Sequence, residues 1–224
     1  MIPHIYTGII NMHFRFATIA LLAAYTSHIN AQSIALIGAT VYDGTSHFSV
    51  IKNAVILVEQ ERIVCVGDQQ QCPILPSMEI VDFTGKYITP GLIDSHVHFM
   101  LSNWFDTRQD SHIDPKRYDY EAATKDMKEN PDRVHRSYLC SGITGVFDAG
   151  GYSWTLGLVD EAEHHHEHTH VTAAGPIITH ESSAFPLFTA MGESAFLPMK
   201  SDQEAIASVR KLAQMGSKAV KVMY

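Results

Sequence analysis

The sequence predicts an α/β protein in which a small β unit precedes alternating strands and helices. Between residues 33 and 88, short apolar runs are separated by turn residues, which is typical of antiparallel strands. Beyond His98 the strand-like runs alternate with helical segments, the pattern of βα units and a parallel sheet. The chain has 224 residues, 46% of them hydrophobic, so it can bury a core and fits one or two domains.

The charge of the chain argues against a nucleic-acid partner. The formal net charge is −8 and the pI is about 5.9, whereas a nucleic-acid-binding surface carries a basic patch. We therefore expect no nucleic-acid partner.

The first 31 residues are predicted to be a signal peptide. A basic residue precedes an apolar run at 16–25, which fits the charged and hydrophobic parts of a secretory signal. The run is about half as long as the roughly 20 residues that span a bilayer, so we expect no stable membrane span. Cleavage after Ala31 would yield an exported protein, periplasmic or secreted, although Ile29 is bulky for a cleavage site; Met12 is the expected start.

Export would place the cysteines in an oxidising compartment. Cys65 and Cys72 lie close enough in sequence to bridge across a loop, which would leave Cys140 unpaired. An odd count is not a disulfide framework, so the bridged and the free form of the pair both stay open.

Five apolar runs predict the strands of the first domain, residues 32–88. They lie at 34–37, 54–58, 62–66, 79–83 and 86–88. The polar residues 59–61 predict a hairpin connection between the second and third runs.

The next stretch, 89–99, carries two histidines. A Pro-Gly turn leads into an apolar run, and His96 and His98 follow at i, i+2. Side chains two apart on a strand project from the same face, so both rings can reach one ion. Neutral imidazole is also the commonest metal ligand. The alternative is that two of the 14 histidines merely flank a strand end.

The elements that follow alternate between helices, strands and loops. We predict a long excursion at 101–132, a helix at 131–140, strands at 143–148 and 171–175, a loop at 182–200, a helix opened by the capping box Ser201–Glu204, and a strand at 219–224. The apolar face of the last helix is predicted to comprise Ile206, Val209, Leu212 and Ala213. The loop at 182–200 is either a pocket wall or a packed surface loop.

Several of these segments resemble the amidohydrolase superfamily. PGLIDSHVHF is similar to the P-G-[LF]-[IV]-D-x-H-x-H signature of these metal-dependent hydrolases, which are built on a (β/α)8 barrel with a small β-sandwich. GATVYDG, ERIVCVGD and VDFTGKYITPG are similar to the β-sandwich of the imidazolonepropionase-like and Xaa-Pro dipeptidase-like members. SGITGVFDAGG looks like the second barrel strand, and MGSKAVKVMY like the fourth.

The resemblance implies hydrolysis of amide or cyclic amide C–N bonds at a site with one or two divalent ions, with zinc expected. His96 and His98 would bind a metal, and Lys221, carboxylated in a complete barrel, would bridge two metals. Asp148 and His180 would lie at the C-terminal ends of strands, where barrel enzymes bind substrate. Asp148 either contacts a small-molecule substrate or only caps a turn.

The His-rich run at 163–170 lies where a helix ends and the third strand begins. His-rich tracts can bind metal, but this junction belongs to the face of a barrel opposite the chemistry. We therefore expect adventitious or no metal binding there.

The chain departs from the family in length. A barrel of eight units takes about 250 residues, and residues 89–224 hold about four units on that scale. The predicted fold class is therefore α/β, an incomplete (β/α)8 TIM-type barrel of about four βα units preceded by part of a small β-sandwich. The family's later histidines and catalytic aspartate have no matching positions, so no catalytic residue is assigned.

Two functions follow from this departure. The chain is either the N-terminal portion of a metal-dependent hydrolase, inactive alone, or a catalytically dead fragment that serves at most as a binding or assembly module. In either case, an unpaired outer strand would favour self-association.

Overall fold

The computed structural model describes residues 33–45, 50–101, 119–180 and 188–224. The chain divides into two compact units, Met1–Pro90 and Gly91–Tyr224. The predicted signal peptide lies outside the described residues. No helix in the described ranges is long and apolar enough to cross a membrane.

The first unit contains one five-stranded sheet. Its strands are β1 (Ile34–Tyr42), β2 (Val50–Glu59), β3 (Arg62–Gly67), β4 (Glu79–Asp82) and β5 (Tyr87–Ile88). The order is β3-β2-β1-β4, and β5 also pairs with β1. The first three strands are antiparallel, as predicted.

The prediction of a purely antiparallel unit is wrong for the last two strands. β4 and β5 both run parallel to β1. The long connection at 68–78 carries the chain back across the sheet, which a two-residue hairpin cannot do. The predicted hairpin between β2 and β3 is present, and its residues Gln60 and Glu61 have φ values of 48° and 64°. Positive φ at both central residues suits a tight turn between twisted strands.

The first unit buries apolar side chains on both faces of β2. Val55 and Leu57 join a cluster with Met78 and Cys72, while Ile56 belongs to a second cluster. This alternation follows from the two-residue period of a strand. A disulfide links Cys65 to Cys72, and Cys140 in the second unit is free and exposed. The bridge that the sequence left open is therefore formed.

The second unit begins with three parallel strands joined by helices. The strands β6 (Leu92–Val97), β7 (Ile143–Asp148) and β8 (His170–Ala173) form one sheet in that order. Helices α1 (Tyr120–Glu129) and α2 (Asp132–Cys140) precede β7, and a 3₁₀ helix (Ser153–Leu156) and α3 (Gly157–Ala162) precede β8. The predicted alternation of strands and helices is confirmed for this part, which makes the unit α/β.

A second parallel sheet continues from β8. It contains β9 (Ile177–His180), β12 (Phe196–Met199) and β13 (Val222–Met223) in the order β12-β9-β13. Gly175, with φ +67°, and Pro176 separate β8 from β9. The described parallel strands of the second unit therefore form two three-stranded sheets rather than one continuous four-stranded sheet.

Two segments predicted as loops contain regular structure. The excursion at 101–132 includes α1, whose first turn is capped by the Asp119 side chain accepting from the Ala122 N–H. The loop at 182–200 includes β10 (Thr189–Ala190), β11 (Glu193–Ser194) and β12. Ala195 and Phe196 are buried, so the described part of this loop, 188–200, is packed.

The last helix, α4 (Asp202–Gln214), begins as predicted and packs differently. The Ser201 hydroxyl accepts from the Glu204 N–H at 3.3 Å. Of the predicted apolar face only Leu212 is buried, while Ile206 and Val209 are 51% and 42% exposed. The predicted strand at 219–224 is also shorter, because only Val222–Met223 pairs with β9.

Two buried clusters hold the second unit together. One lies between the β6-β7-β8 sheet and its helices and comprises Val97, Phe99, Met127, Val134, Val146, Leu158, Ala162, Val171 and Ala173. The other joins α1 to the residues after β6 and β7 and to β9 and β12, and it comprises Met100, Tyr120, Tyr152, Ile177, Ala190, Ala195 and Phe196. The two clusters fix the C-terminal ends of β6 and β7 next to each other.

Candidate metal centre

His96 and His98 converge at the end of β6. Their Nε2 atoms lie 3.3 Å apart, and the rings meet nearly edge to face, with centroids 5.2 Å apart. The pairing of β6 with β7 shifts register between Asp94 and Val97, so a bulge contains His96. A bulge re-aims the side chains of its strand. The Asp94 carboxylate also accepts from the His96 backbone N–H at 3.0 Å.

The tautomer of His98 is set by a backbone carbonyl. Its Nδ1 atom lies 2.7 Å from the Gly150 carbonyl oxygen. A carbonyl only accepts, so Nδ1 carries the proton and donates. In the neutral ring, Nε2 then holds the free lone pair, and this is the nitrogen that faces His96.

The pair fits a divalent metal. Two nitrogens bound to a tetrahedral zinc ion at about 2.0–2.1 Å lie about 3.3–3.4 Å apart, which matches the 3.3 Å between the two Nε2 atoms. The Gly150 contact is the kind of outer hydrogen bond that metal-binding histidines make through their second nitrogen. The same separation also permits His96 to donate to His98 in metal-free protein. The two histidines therefore match part of a metal site.

The described residues do not supply a full ligand set. No group of three or more His, Cys, Asp or Glu side chains converges within residues 33–45, 50–101, 119–180 and 188–224. Structural zinc takes four ligands and catalytic zinc takes three protein ligands. Two histidines alone are one ligand short of the smaller set.

Asp148 is the third predicted site residue near this pair. It ends β7, is fully buried, and lies 3.9 Å from His98 Nδ1 through its Oδ1 atom. The same oxygen accepts from the Gly150 N–H at 3.2 Å. Burial raises the pKa of Asp148 to about 6, and hydrogen bonds from the Gly150 N–H, the Thr155 side chain and the Phe99 backbone oppose that rise. Contact with a substrate remains a prediction for this residue.

The other two predicted site residues lie on later strands. His180 is the exposed last residue of β9, and Lys221 is the half-buried residue just before β13. The Lys221 carbonyl accepts from the Ile178 N–H at 2.9 Å, which joins it to β9. In the described part of the chain, no hydrogen bond or ion pair links the Lys221 side chain to His96 or His98. Its role as a ligand stays a prediction.

The side chains of the His-rich tract point to separate partners. His164 contacts the Asp160 carbonyl, His168 contacts Asp132 and His170 contacts Glu163. The tract leads into β8, so it lies at the N-terminal ends of the strands, away from His96 and His98 at the C-terminal end of β6. The described geometry does not gather the tract around one ion.

Sequence reasoning missed two residues that shape this region. Gly150 supplies the carbonyl that orients His98, and the only signal was its position two residues after Asp148. His135 is buried on α2 and its ring lies 5.4 Å from that of Phe99, the residue after His98. The helical pattern placed His135 in α2 without indicating burial.

Comparisons with known proteins find partial matches to imidazolonepropionases and to solved amidohydrolase structures. No family model matches it. It is 44% identical over 50 residues to an imidazolonepropionase of Fusobacterium nucleatum, covering 21% of this chain and 12% of that protein. It is 26% identical over 151 residues to an imidazolonepropionase of a Geobacillus species, covering 56% and 36%.

Solved structures show the same fold. A prolidase complexed with N-methylphosphonate-L-proline superposes with a TM-score of 0.64 at 22% identity, covering 86% of this chain and 46% of that one. A protein described as an amidohydrolase gives 0.62 at 22% identity, with the same coverage. The chain thus spans less than half the length of the proteins it matches. Together, these relatives and structures identify the chain as a member of the amidohydrolase superfamily.

Proposed function

We propose that this chain forms part of a metal-dependent hydrolase of amide or cyclic amide C–N bonds. The observation that carries the proposal is the pair of Nε2 atoms 3.3 Å apart on His96 and His98, with the His98 tautomer set by Gly150. The imidazolonepropionase relatives and the amidohydrolase fold support hydrolysis of C–N bonds. The substrate is proposed to be a small molecule.

His96 and His98 would hold one side of the metal site. A bound divalent ion, with zinc expected and one or two ions in the site, would supply an activated water and polarise the scissile carbonyl. The Gly150 carbonyl orients His98 for this. Asp148 and His180, both at C-terminal strand ends, are proposed to face the substrate side, where barrel enzymes place their chemistry.

Lys221 is proposed as a bridging ligand after carboxylation. A lysine ammonium offers only donors and does not bind a metal ion. A carbamate on its Nζ would add two oxygens that can each bind one ion. Lys221 adjoins β13 and is half-buried, whereas Lys218 is exposed.

Further polypeptide is proposed to complete the site. On β6, Leu92 and Ile93 are 61% and 76% exposed, and on β13 Val222 is 47% exposed. Both strands have one neighbour among the described residues. Apolar side chains along unpaired strand edges are surfaces that proteins ordinarily cover. We propose that strands of a fuller barrel cover them and bring the missing ligands, so that the 224 residues alone are inactive.

The second candidate is a binding or assembly module without catalysis. It is favoured by the lack of a third convergent ligand among the described residues. The DNA that follows the Tyr224 codon discriminates the two: an in-frame continuation favours the hydrolase, and an immediate stop codon favours the module.

The hydrolase proposal is tested on the product of the complete reading frame. A panel of amide and cyclic amide substrates would be assayed with zinc and bicarbonate, since bicarbonate supports lysine carboxylation. We expect turnover that His96→Ala, His98→Ala and Lys221→Ala each abolish, while Lys218→Ala retains it. Turnover that survives His96→Ala, or no turnover with any substrate, would contradict the proposal.

A further inference from the structure

We infer that Asp148 is a positioning residue for His98, acting through the backbone of Gly150. The inference rests on the proposed metal site and adds how one of its ligands, His98, is held in position. The contacts from Asp148 through Gly150 would hold the His98 ring in the orientation and the tautomer that leave Nε2 free for a metal ion.

The contacts form a continuous path from β7 to the residue after β6. The Gly150 N–H donates to Asp148 Oδ1 at 3.2 Å, and the Gly150 carbonyl accepts from His98 Nδ1 at 2.7 Å. The N–H and the carbonyl of Gly150 belong to successive peptide groups, so the backbone of one residue separates the carboxylate from the ring. The carboxylate also lies 3.9 Å from Nδ1 directly, so its negative charge favours a proton on Nδ1 rather than on Nε2.

The direction of the Gly150 carbonyl is fixed by the neighbouring strand. Gly150 has φ +127°, and a Cβ atom there would lie 2.6 Å from Ile177 Cγ1 and 3.3 Å from the Gly175 carbonyl oxygen. The Gly151 N–H donates to that same Gly175 oxygen at 2.9 Å. A side chain at 150 would therefore have to displace the β8–β9 junction, and glycine leaves the carbonyl free to face His98.

Asp148 places a buried carboxylate beside His98. Its side chain is fully buried, and the Gly150 N–H, the Thr155 side chain and the Phe99 backbone all hydrogen-bond to the carboxylate. A turn cap for Gly150 would require only one oxygen acceptor, which asparagine also provides. The charge beside His98 is what asparagine would lack.

The first test uses wild-type protein without metal. Long-range ¹H–¹⁵N NMR of the histidine rings at pH 8 reports the tautomer of His98. We expect the Nδ1–H form to dominate. A dominant Nε2–H form would overturn the inference, and this measurement requires no variant to fold.

The second test compares Asp148→Asn with a matched control, Asp160→Asn, which makes the same change at an exposed position on α3. Zinc affinity would be measured by competition with a chromophoric chelator, beside the NMR tautomer. We expect Asp148→Asn to weaken zinc binding about 10- to 100-fold and to mix the two tautomers of His98, and the control to change neither.

The outcomes separate this inference from the proposed function. If His98→Ala abolishes zinc binding while Asp148→Asn leaves affinity and tautomer unchanged, the positioning role is wrong and the metal site stands. If wild type binds no zinc but shows the Nδ1–H tautomer, and Asp148→Asn mixes the tautomers, the positioning role stands and the metal site is wrong.

Discussion

His135 and His168 stack face to face, with ring centroids 4.1 Å apart and an angle of 4° between the planes. His165 stacks on His168 at 4.7 Å, and Asp132 contacts His168 Nε2 at 3.1 Å. His135 is fully buried, and neither of its ring nitrogens has a hydrogen-bond partner among the described residues. Burial, assisted by the charge of His168, lowers the pKa of His135 to about 4. The ring is therefore neutral at pH 7.

The buried ring predicts a loss of stability in acid. The pKa of His135 falls from its ordinary 6.5 in the unfolded chain to about 4 in the folded one, so only the unfolded chain takes up the proton between these values. This contribution is complete above pH 6.5 and is lost as the pH falls to 4. It amounts to about 2 kcal/mol of unfolding free energy at pH 5 relative to pH 7.5.

The measurement is urea unfolding of metal-free wild type and His135→Leu at pH 7.5 and 5.0. Asp148 titrates in the same range with the opposite sign, because its folded pKa is raised from 3.8 to about 6. Both proteins retain Asp148, so the difference between their pH slopes isolates His135. We expect the wild type to lose about 2 kcal/mol more than the variant. Parallel pH profiles would show that His135 is not buried neutral.

The disulfide predicts that the first unit loses stability when the bond is removed. Cys65 and Cys72 are seven residues apart, and closing so short a loop in the unfolded chain is worth about 2–3 kcal/mol in the chain-entropy model. Replacing both cysteines with serine should lower the unfolding free energy by about that amount. Cys140→Ser is the matched control, since this thiol is free and exposed. Equal stability of the double variant and the control would contradict the bridge.

The exposed strand edges predict self-association of the 224-residue chain. Ile93 on β6 and Val222 on β13 lie on strands with one neighbour among the described residues. Light scattering should show assemblies larger than a monomer, and Ile93→Lys with Val222→Lys should disperse them by placing charges on the edges. Ile63→Lys makes the same change at a 66% exposed residue of β3. If Ile63→Lys alone disperses the assemblies, association occurs through the first unit.

Export is proposed from the sequence of residues 1–31 and is supported by the disulfide, since such bonds persist in oxidising compartments. Protein recovered from the periplasm or medium should begin near Gln32. Intact mass spectrometry of both fractions measures this. A cytosolic protein that retains its N-terminal residues would show that the segment is not a cleaved signal.

The sequence predicted those elements whose signals are local. The i, i+2 histidines gave the end of β6, the run at 143–148 matched β7, and Ser201 capped α4 as predicted. A helix cap or the period of a strand is set by residues within one turn or one strand, so it can be recognised from the sequence alone.

The features that the sequence did not predict depend on distant partners. α1 buries Tyr120, Thr124 and Met127, and its middle buried residue is a threonine whose hydroxyl bonds to the Tyr120 carbonyl, so its apolar pattern was weak. The parallel placement of β4 depends on β1, more than 40 residues earlier. Likewise, the bulge at His96 and the Gly150 contact exist only because β7 lies beside β6.

Zinc stoichiometry tests the central claim most directly. Two variants would be titrated beside wild type: His96→Ala with His98→Ala, and a tract variant with His164, His166 and His170 changed to glutamine. The tract variant removes three exposed histidines and retains the stack in which exposed His165 covers buried His168 and His135. We predict that the double alanine variant loses the tightest zinc equivalent and that the tract variant retains it. Loss of that equivalent only in the tract variant would contradict the assignment of His96 and His98 as the metal ligands.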